Sequence, residues 1–353
     1  MRKHIINFAL ILVLIFTIVI NGNAATTEKI TYDGVKLNTL EEILAIADTT
    51  PSTRALPAAI NNTSLFPSPG NQGSQNSCVS WAVGYAAKSN NELNKRGWTI
   101  SESRHQFSPA YLYNQLVDPN STDKLTGIIE TMALIRTEGV CPLTYFPYNS
   151  SDYLTQPNAI QTAAASLYKG LTYYSIFGTT KIKEIISQGT GVVIAIKTYN
   201  DFKTISSTNP VFDSSAGSYT GNHAICLIGY DDNYYGGAFK FINSYGTNWG
   251  LNGYGWISYD IVNSFVNSHG PGIGFYMTTS ATDTYTMGDI DNNGQITAAD
   301  ARLALNIAVN NISFTANEFV LADVDGNGVV SASDSREILR YATGLITQFS
   351  LYD

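Results

Sequence analysis

Apolar positions between residues 56 and 277 follow two different periods. After Cys78 they recur three or four residues apart, and this spacing returns at 132–135, which predicts helices. Later apolar runs bounded by turn-forming residues predict strands. These runs are residues 192–196, 224–228, 239–242 and 254–259. Because helices precede strands, the pattern predicts an α+β fold of two subdomains over residues 56–277.

The N-terminus, over residues 1–25, has the pattern of a signal peptide. Basic residues precede an uncharged, mostly apolar run at 5–20, and small residues follow it. This order is typical of a secretory signal, with cleavage expected near Ala24 or Ala25. The run is shorter than the roughly 20 residues that span a bilayer, although an uncleaved anchor stays open as an alternative. We expect a secreted, extracellular protein that does not contact a membrane after cleavage.

Two polar segments flank the globular stretch. Residues 26–55 contain one helical patch at 40–46, which ends before Pro51, and they are too short for a domain. They are interpreted as a short pro-segment or a linker. Residues 278–286 are rich in Thr and Ser, which is typical of a linker. The C-terminal domain then covers residues 287–350.

The C-terminal domain contains an internal repeat of an acidic loop. Residues 289–300 match residues 323–334 at an offset of 34. Each copy places oxygen-bearing side chains at loop positions 1, 3, 5, 9 and 12 and glycine at position 6. Such a loop folds six to eight oxygen ligands around Ca²⁺, so we expect two calcium ions. The expected ligands, with position 7 offering its carbonyl, are Asp289, Asp291, Asn293, Gln295, Thr297, Asp300, Asp323, Asp325, Asn327, Val329, Ser331 and Asp334.

The surroundings of these loops differ from those of an ordinary EF-hand, which has helices on both sides. Neither loop is preceded by a convincing amphipathic helix. A loop followed by one helix, present twice, resembles the type I dockerin over residues 287–350. The resemblance implies a small all-α domain that folds with calcium and binds a cohesin module of a cellulosome scaffoldin. The residues at the family's recognition positions are Ala298, Ala299, Leu305, Asn306, Ala332, Ser333, Leu339 and Arg340.

The composition supports a folded protein and disfavours a nucleic-acid partner. Of the 353 residues, 44% are hydrophobic and only 14% are charged, which excludes a fully disordered chain. The formal net charge of −8 argues against nucleic acid as the main partner. Three cysteines are too few for a disulfide scaffold. We expect Cys141 and Cys226 to be free thiols, although a bond between them stays open.

Three residues carry candidate nucleophilic chemistry. Cys78 lies at the expected start of a helix, where unpaired N–H groups and the helix dipole favour a thiolate. A thiolate needs a base to act in acyl transfer, and His223 opens an apolar strand. Asn243 ends the next strand, where its amide carbonyl can fix the tautomer of His223. Taken singly these signals are weak, because a lone Cys or His is more often structural and a lone Asn more often lies in a turn.

Together these segments resemble the papain family of cysteine peptidases. The matching segments are residues 71–78, with a glutamine six positions before the cysteine, and residues 222–224 and 243–250. The likeness spans about residues 56–276 in colinear order. It implies a papain-like fold with a helical left part and a β-barrel-like right part.

The resemblance also implies a role for each matching residue. Cys78 attacks the peptide carbonyl, His223 moves the proton, and Asn243 orients His223. Gln72 and the Cys78 N–H stabilise the oxyanion, where charge develops during attack. Gly127 lies in the cleft wall, where the absence of a side chain lets the substrate backbone approach. The implied reaction is hydrolysis of a polypeptide through a thioester, with no cofactor for catalysis.

Four residues depart from the family pattern without removing a catalytic group. Gln75 replaces a cysteine of a nearby disulfide, and Val79 replaces the tryptophan that follows the nucleophile. Tyr245 stands where a tryptophan shields the Asn–His hydrogen bond, and Asn222 replaces an acidic residue often found before the histidine.

Two other functions stay open beside the endopeptidase. A catalytically silent or protease-blocking module would bind peptides in the same cleft, and the dockerin would display it on the cellulosome. Acyl transfer to an amine would use the same nucleophile. The intact set of catalytic residues favours the enzyme.

Overall fold

The computed structural model of the chain describes residues 34–52, 55–214, 217–264, 273–279, 283 and 285–352. The signal peptide expected at residues 1–25 lies outside the described residues. Among the described helices, none has the length and hydropathy required to cross a bilayer.

The helices of the described residues lie mainly in the first half of the globular stretch and at the C-terminus. They are α1 Leu40–Ala45, α2 Cys78–Ser80, α3 Ser89–Arg96, α4 Pro109–Leu116, α5 Ile128–Thr137, α6 Ala159–Ser166, α7 Thr179–Ser187, α8 Tyr259–Ser264, α9 Ala298–Ala308, α10 Ala316–Ala322 and α11 Ala332–Ala342. A π-helical stretch, Trp81–Lys88, joins α2 to α3 in one continuous helix. This long helix and α5 confirm the helical spacing predicted after Cys78 and at 132–135.

The strands form one large sheet and one small pair. They are β1 Val35–Lys36, β2 Ala59–Asn61, β3 Thr126–Gly127, β4 Gly170–Phe177, β5 Val192–Tyr199, β6 Val211–Phe212, β7 Tyr219–Asp231, β8 Ala238–Ile242, β9 Tyr254–Ser258 and β10 Ile273–Thr279. The large sheet has the order β4-β10-β5-β7-β8-β9-β6, and β2 pairs with β7. Strands β1 and β3 form a separate parallel pair. All four predicted strands are present, as β5, β7, β8 and β9.

Strand β10 extends into the segment that the sequence analysis assigns to a linker. Thr278 pairs with Thr172 of β4, and Thr279 pairs with Gly170. The Thr-rich composition suggested a linker, but the hydrogen bonds of the sheet decide the conformation here. Residues 278 and 279 are therefore part of the sheet.

The large sheet is buried on both faces. Successive residues of β7 point to opposite sides of the sheet, so they contribute to two different cores. Cys226 and Ile228 belong to a core shared with the helical part, which also contains Cys78 and Cys141. Ile225 and Leu227 belong to a second core. All three cysteines are buried and free, as expected for Cys141 and Cys226.

The C-terminal domain has its own core and also contacts the helical part of the globular stretch. Thr297 and Ser331 begin α9 and α11 as N-caps. Helix α10 lies directly before the second loop, so the expectation that neither loop has a preceding helix is wrong for that loop. Thr315, at the end of a polar turn, caps α10 with its side chain. Val320 of α10 packs into the core of the helical part, so the two parts touch.

Candidate active site

Cys78 begins helix α2 and is fully buried. Its thiol donates to the carbonyl oxygen of Gly34, with 3.2 Å between Sγ and O. Burial raises the pKa of Cys78 to about 12, and hydrogen bonds from the backbone N–H groups of Ala224, Val79 and Cys78 itself partly oppose the rise. The thiol is therefore neutral near pH 7 in this arrangement, because burial outweighs the helix N-terminus.

His223 and Asn243 are brought together by the pairing of β7 with β8. His223 Nε2 lies 2.7 Å from Asn243 Oδ1, and the same oxygen accepts from the backbone N–H of Ser244 at 2.8 Å. An amide oxygen only accepts, so Nε2 carries the proton and Nδ1 is left as the basic nitrogen. The structure thus joins two of the expected catalytic residues in the expected geometry.

The environment of His223 favours its neutral form. Burial lowers the pKa of His223 to about 4, and the hydrogen bond to Asn243 partly opposes this. The ring of Tyr245 lies against the imidazole, with 4.7 Å between the ring centroids. Tyr245 therefore covers the histidine at the position where the family has tryptophan.

Gln72 is held beside the nucleophile segment by a network of side chains. Its Oε1 accepts from Ser244 Oγ at 2.6 Å, and its Nε2 donates to the carbonyl of Gln75 at 2.8 Å. The hydroxyl of Tyr148 lies 2.8 Å from the Gln72 carbonyl and 3.0 Å from Gln75 Oε1. Gln75 Nε2 donates to the carbonyl of Asp152 at 3.2 Å. Hydrogen bonds therefore hold the loop before Cys78, where the family pattern has a disulfide.

Sequence reasoning missed two members of this network. Ser244 directly follows Asn243, and Tyr148 lies between α5 and α6. Their positions were visible, but their role depends on contacts with residues far away in the chain. The other two departures from the family pattern are structural: Val79 is buried, and Asn222 Oδ1 accepts from the hydroxyl of Tyr219 at 3.0 Å.

Gly34 and the residues that follow it lie over Cys78. Gly34 has a φ of +107°, and a Cβ there would lie 2.5 Å from the carbonyl oxygen of Asn222. The next residues form β1, in which Val35 pairs with Thr126 and Lys36 pairs with Gly127 in a parallel register. Gly127 thus lies at the cleft, where its backbone faces a strand of the chain itself. The sequence offered no signal for the role of Gly34.

The same segment continues across to the large sheet. Ile43 of α1 is buried, and Ser175 Oγ donates to its carbonyl at 2.7 Å. The Ser175 N–H donates to Ile46 at 3.0 Å, and the Asp48 N–H donates to the Ser175 carbonyl at 2.8 Å. Residues 34–48 therefore contact β3 and also β4 of the large sheet.

The two acidic loops each bring three carboxylates together. The groups are Asp289, Asp291 and Asp300 in the first loop and Asp323, Asp325 and Asp334 in the second, with oxygens within 4.8 Å of one another. Burial, together with the nearby Asp334, raises the pKa of Asp323 to about 7. Hard oxygen donors this close together suit a divalent cation.

The other expected ligands form hydrogen bonds within their loops. Asn293 and Asn327 each accept, through Oδ1, from the backbone N–H of position 7 at 2.9 and 2.8 Å. Thr297 and Ser331 donate through their hydroxyls to the carboxylate at position 12. The position-7 residues, Gln295 and Val329, are exposed.

The expected cohesin-binding residues lie on the surface. Asn306 is half-buried. The exposed ones are Ala298, Ala299, Leu305, Ala332, Ser333, Leu339 and Arg340. Leu305 and Leu339, which occupy equivalent places on α9 and α11, are 43% and 44% exposed, so both halves present a similar apolar position to solvent.

Comparison with known families assigns both parts of the chain. The profile described as papain family cysteine protease matches residues 68–269, which is more than half of the chain. The chain belongs to the papain family of cysteine proteases. A second profile, the dockerin type I domain, matches residues 287–342.

One curated relative matches part of the chain at low identity. An uncharacterised peptidase C1-like protein of Acanthamoeba polyphaga mimivirus is 26% identical over 204 residues, which is 52% of this chain and 61% of the relative. The chain therefore spans about three fifths of the length of this curated relative.

Solved structures show the papain-like fold. Xylellain, a cysteine protease from Xylella fastidiosa, is 20% identical with a TM-score of 0.57 and covers 70% of this chain and 96% of its own. A procathepsin B from Trypanosoma congolense is 15% identical with a TM-score of 0.56 and covers 71% and 87%. The expected papain-like fold, with a small helical dockerin behind it, is confirmed.

Proposed function

We propose that this protein is a secreted cysteine endopeptidase attached to a cellulosome scaffold by its dockerin. The observation that carries the proposal is the hydrogen bond between His223 and Asn243 in a papain-family chain whose Cys78 begins a buried helix. Gln72 supports it, because its amide is held beside the nucleophile segment. The dockerin implies an extracellular, cellulosome-bound location and a cohesin as partner.

In the proposed reaction, Cys78 attacks the carbonyl carbon of a peptide bond while its proton passes to His223. The Gln72 amide and the Cys78 N–H stabilise the oxyanion. The C–N bond breaks as His223 gives its proton to the leaving amine. Water then attacks the thioester and gives a proton to His223, which returns it to the cysteine sulfur as the C–S bond breaks. Asn243 keeps the imidazole oriented throughout, and no cofactor takes part.

We propose that residues 26–55 act as a short pro-segment that keeps the enzyme latent. Gly34 lies against the thiol of Cys78, and Lys36 pairs with Gly127 where a substrate backbone would bind. While this segment stays in the cleft, both catalytic groups are buried and neutral, so no thiolate–imidazolium pair forms. Displacement of the segment would expose the thiol and free Gly127 for substrate.

We further propose that the dockerin holds two calcium ions, one in each acidic loop. The clustered carboxylates of each loop support this assignment. The residues that would hold the ions are those expected from the sequence, with the carboxylates of positions 1, 3 and 12 already in place. The exposed positions on α9 and α11, led by Leu305 and Leu339, would then form the cohesin-binding face.

The decisive experiment measures hydrolysis of a peptide library by the secreted chain after removal of residues 26–55. We expect the wild type to cleave and Cys78→Ala to lose both cleavage and labelling by a thiol-directed inhibitor. His223→Ala should cost nearly as much, because the two residues act as a unit. Cys141→Ser and Cys226→Ser, which remove buried thiols outside the site, serve as matched controls and should keep most activity.

Each alternative function has its own outcome in this experiment. Peptide binding without turnover by the wild type would favour a silent or protease-blocking module. Faster transfer to an added amine than to water would favour an acyltransferase. Cleavage by Cys78→Ala at the wild-type rate would refute the mechanism.

A further inference from the structure

The second acidic loop packs against the peptidase at its position-6 glycine, whereas the position-6 glycine of the first loop does not. A Cβ on Gly328, at position 6 of the second loop, would lie 3.2 Å from the carbonyl oxygen of Thr144. A Cβ on the equivalent Gly294 of the first loop would meet nothing within 4 Å. Two loops of closely similar sequence therefore have different surroundings.

The contact reaches the first ligand position of the second loop. The hydroxyl of Tyr145, a peptidase residue, donates to Asp323 Oδ2. Arg104 of the peptidase donates from its guanidinium to the carbonyl of Asp325 at 3.0 Å. Leu351 connects the loop to the peptidase again, because its N–H donates to Val324 and its carbonyl lies 2.6 Å from a ring nitrogen of His105.

The carboxylates at position 1 of the two loops, Asp289 and Asp323, accept matching hydrogen bonds from their own loops. Asp323 also accepts one from the hydroxyl of Tyr145. Asp289 accepts from two N–H groups of its own loop, those of Asn293 at 3.0 Å and Gly294 at 2.9 Å. Asp323 accepts the equivalent two bonds, from Asn327 at 3.2 Å and Gly328 at 2.8 Å. The Tyr145 hydroxyl adds a third.

This third bond restricts how the Asp323 carboxylate can bind a cation. A carboxylate has about four lone-pair sites. Asp323 Oδ2 uses both of its sites on Gly328 and Tyr145, and Oδ1 uses one on Asn327. The free site is then on Oδ1. In the first loop, Asp289 accepts one hydrogen bond on each oxygen from the described residues, so the extra restraint acts on the carboxylate of the second loop.

We propose that Tyr145 is a positioning residue of the second calcium site, supplied by the peptidase to a ligand of the dockerin. This inference rests on the proposed calcium loops. Groups that orient a metal ligand from behind contribute about 10- to 100-fold in metal affinity. Calcium in the second loop therefore binds more tightly when the dockerin rests on the peptidase. By reciprocity, calcium there strengthens the contact of the dockerin with the peptidase.

The test titrates calcium into the full chain against a chromophoric chelator, in a Cys78→Ala background that prevents self-digestion. Asp289→Ala isolates the second loop, and Asp323→Ala isolates the first. Adding Tyr145→Phe, which removes only the hydroxyl, should weaken calcium binding about 10-fold or more in the Asp289→Ala chain. The same substitution should leave binding unchanged in the Asp323→Ala chain, which is the matched control.

A second measurement keeps Tyr145 unchanged and follows hydrogen exchange of the amides at residues 143–146. Calcium should slow their exchange in the Asp289→Ala chain and not in the Asp323→Ala chain. Unchanged calcium affinity on Tyr145→Phe, or equal weakening of both loops, would overturn the inference, as would exchange that ignores calcium in the second loop. Failure of the unsubstituted loops to bind calcium would instead refute the proposed calcium sites themselves.

Discussion

Asn243 and Tyr245 act on His223 in different ways. Asn243 Oδ1 accepts a hydrogen bond from the Nε2–H group of His223 and so fixes the tautomer, while the ring of Tyr245 lies against the imidazole. Ser244 holds the Asn243 oxygen in place through its backbone N–H. The orientation of the His223 base thus depends on its hydrogen bond to Asn243, whereas the cover over the imidazole depends on aromatic packing by Tyr245. Substitutions can separate these two contributions.

Asn243→Ala should lower kcat/KM of the uncovered enzyme about 10- to 100-fold. A hydrogen bond to a charged group contributes about 1.5–3 kcal/mol, and His223 becomes charged during the reaction. Tyr245→Phe keeps the ring that covers the imidazole and should change kcat/KM much less. Steady-state kinetics on one peptide substrate compares the two, and an unchanged value for Asn243→Ala would contradict the assigned role.

Acid should open the covered cleft. Burial lowers the pKa of His223 from the ordinary value of 6.5 to about 4, so between these values the buried imidazole binds fewer protons than one that opening of the cleft exposes to water. The stability of the covered state is therefore fully present above pH 6.5 and is lost as the pH falls towards 4. The full effect is about 3 kcal/mol, since a pKa difference of one corresponds to about 1.4 kcal/mol.

The rate at which a thiol-directed inhibitor labels Cys78 in the chain that retains residues 26–55 reports this opening. We expect faster labelling at pH 4.5 than at pH 7.5, although an ordinary thiol reacts more slowly in acid. A chain that begins at Leu56 is the control and should show no acceleration in acid. Slower labelling of the longer chain at pH 4.5 would contradict the prediction.

At the scale of elements, the short N-terminal segment contacts the helical part, the large sheet and Cys78. Helix α1 places Ile43 in the core, and β1 adds a strand beside β3. Gly34 lets the chain pass over Cys78, because its φ of +107° and the 2.5 Å approach to Asn222 leave no room for a Cβ. The two-residue strand pairs with β3, and the short helix contacts β4 of the large sheet through Ile43.

Gly34→Ala should weaken this cover. Forcing a side chain into a left-handed conformation costs about 1–3 kcal/mol, so the chain that retains residues 26–55 should be labelled at Cys78 about 10-fold faster. Gly97→Ala is the matched control, because Gly97 also has a positive φ, of +72°, but has open space around its Cβ position. Equal turnover of substrate by the longer chain and by a chain that begins at Leu56 would show that the segment acts only as a linker.

At the scale of the whole molecule, calcium chemistry and thiol chemistry lie in different parts of the chain. Residues 287–350 carry eight acids against three arginines, and six of those acids form the two carboxylate clusters. Without a cation these charges repel one another and oppose folding of the dockerin. Cys78 and His223 lie in the peptidase and belong to neither carboxylate cluster.

Excess chelator should therefore abolish cohesin binding by the full chain, while the uncovered enzyme still cleaves peptide. Pull-down on a cohesin and a peptide assay of the same sample measure the two functions. The double variant Asp289→Ala and Asp323→Ala should behave in calcium as the wild type behaves in chelator. Undiminished cohesin binding in chelator would refute the calcium assignment, and loss of cleavage would refute the division of functions.

The sequence by itself determined the family and the acidic loops, and it predicted the catalytic residues. Each of these is written in short contiguous segments, such as residues 71–78 and the loops at 289–300 and 323–334, where the chemistry requires particular residues at fixed spacing. The apolar runs likewise predicted β5, β7, β8 and β9, because buried strands need continuous hydrophobic residues.

Only the tertiary structure decided what covers and supports these groups. Gly34 meets Cys78 across 44 residues of sequence, and Tyr145 meets Asp323 across 178. Strand β10 extends into the Thr-rich segment at residues 278 and 279 because β4 offers them hydrogen bonds. Such contacts cannot be predicted from the local sequence, because the residues next to Gly34 or Tyr145 in the chain do not indicate a distant partner. The physical reason is that packing, rather than periodicity or spacing, selects the partner.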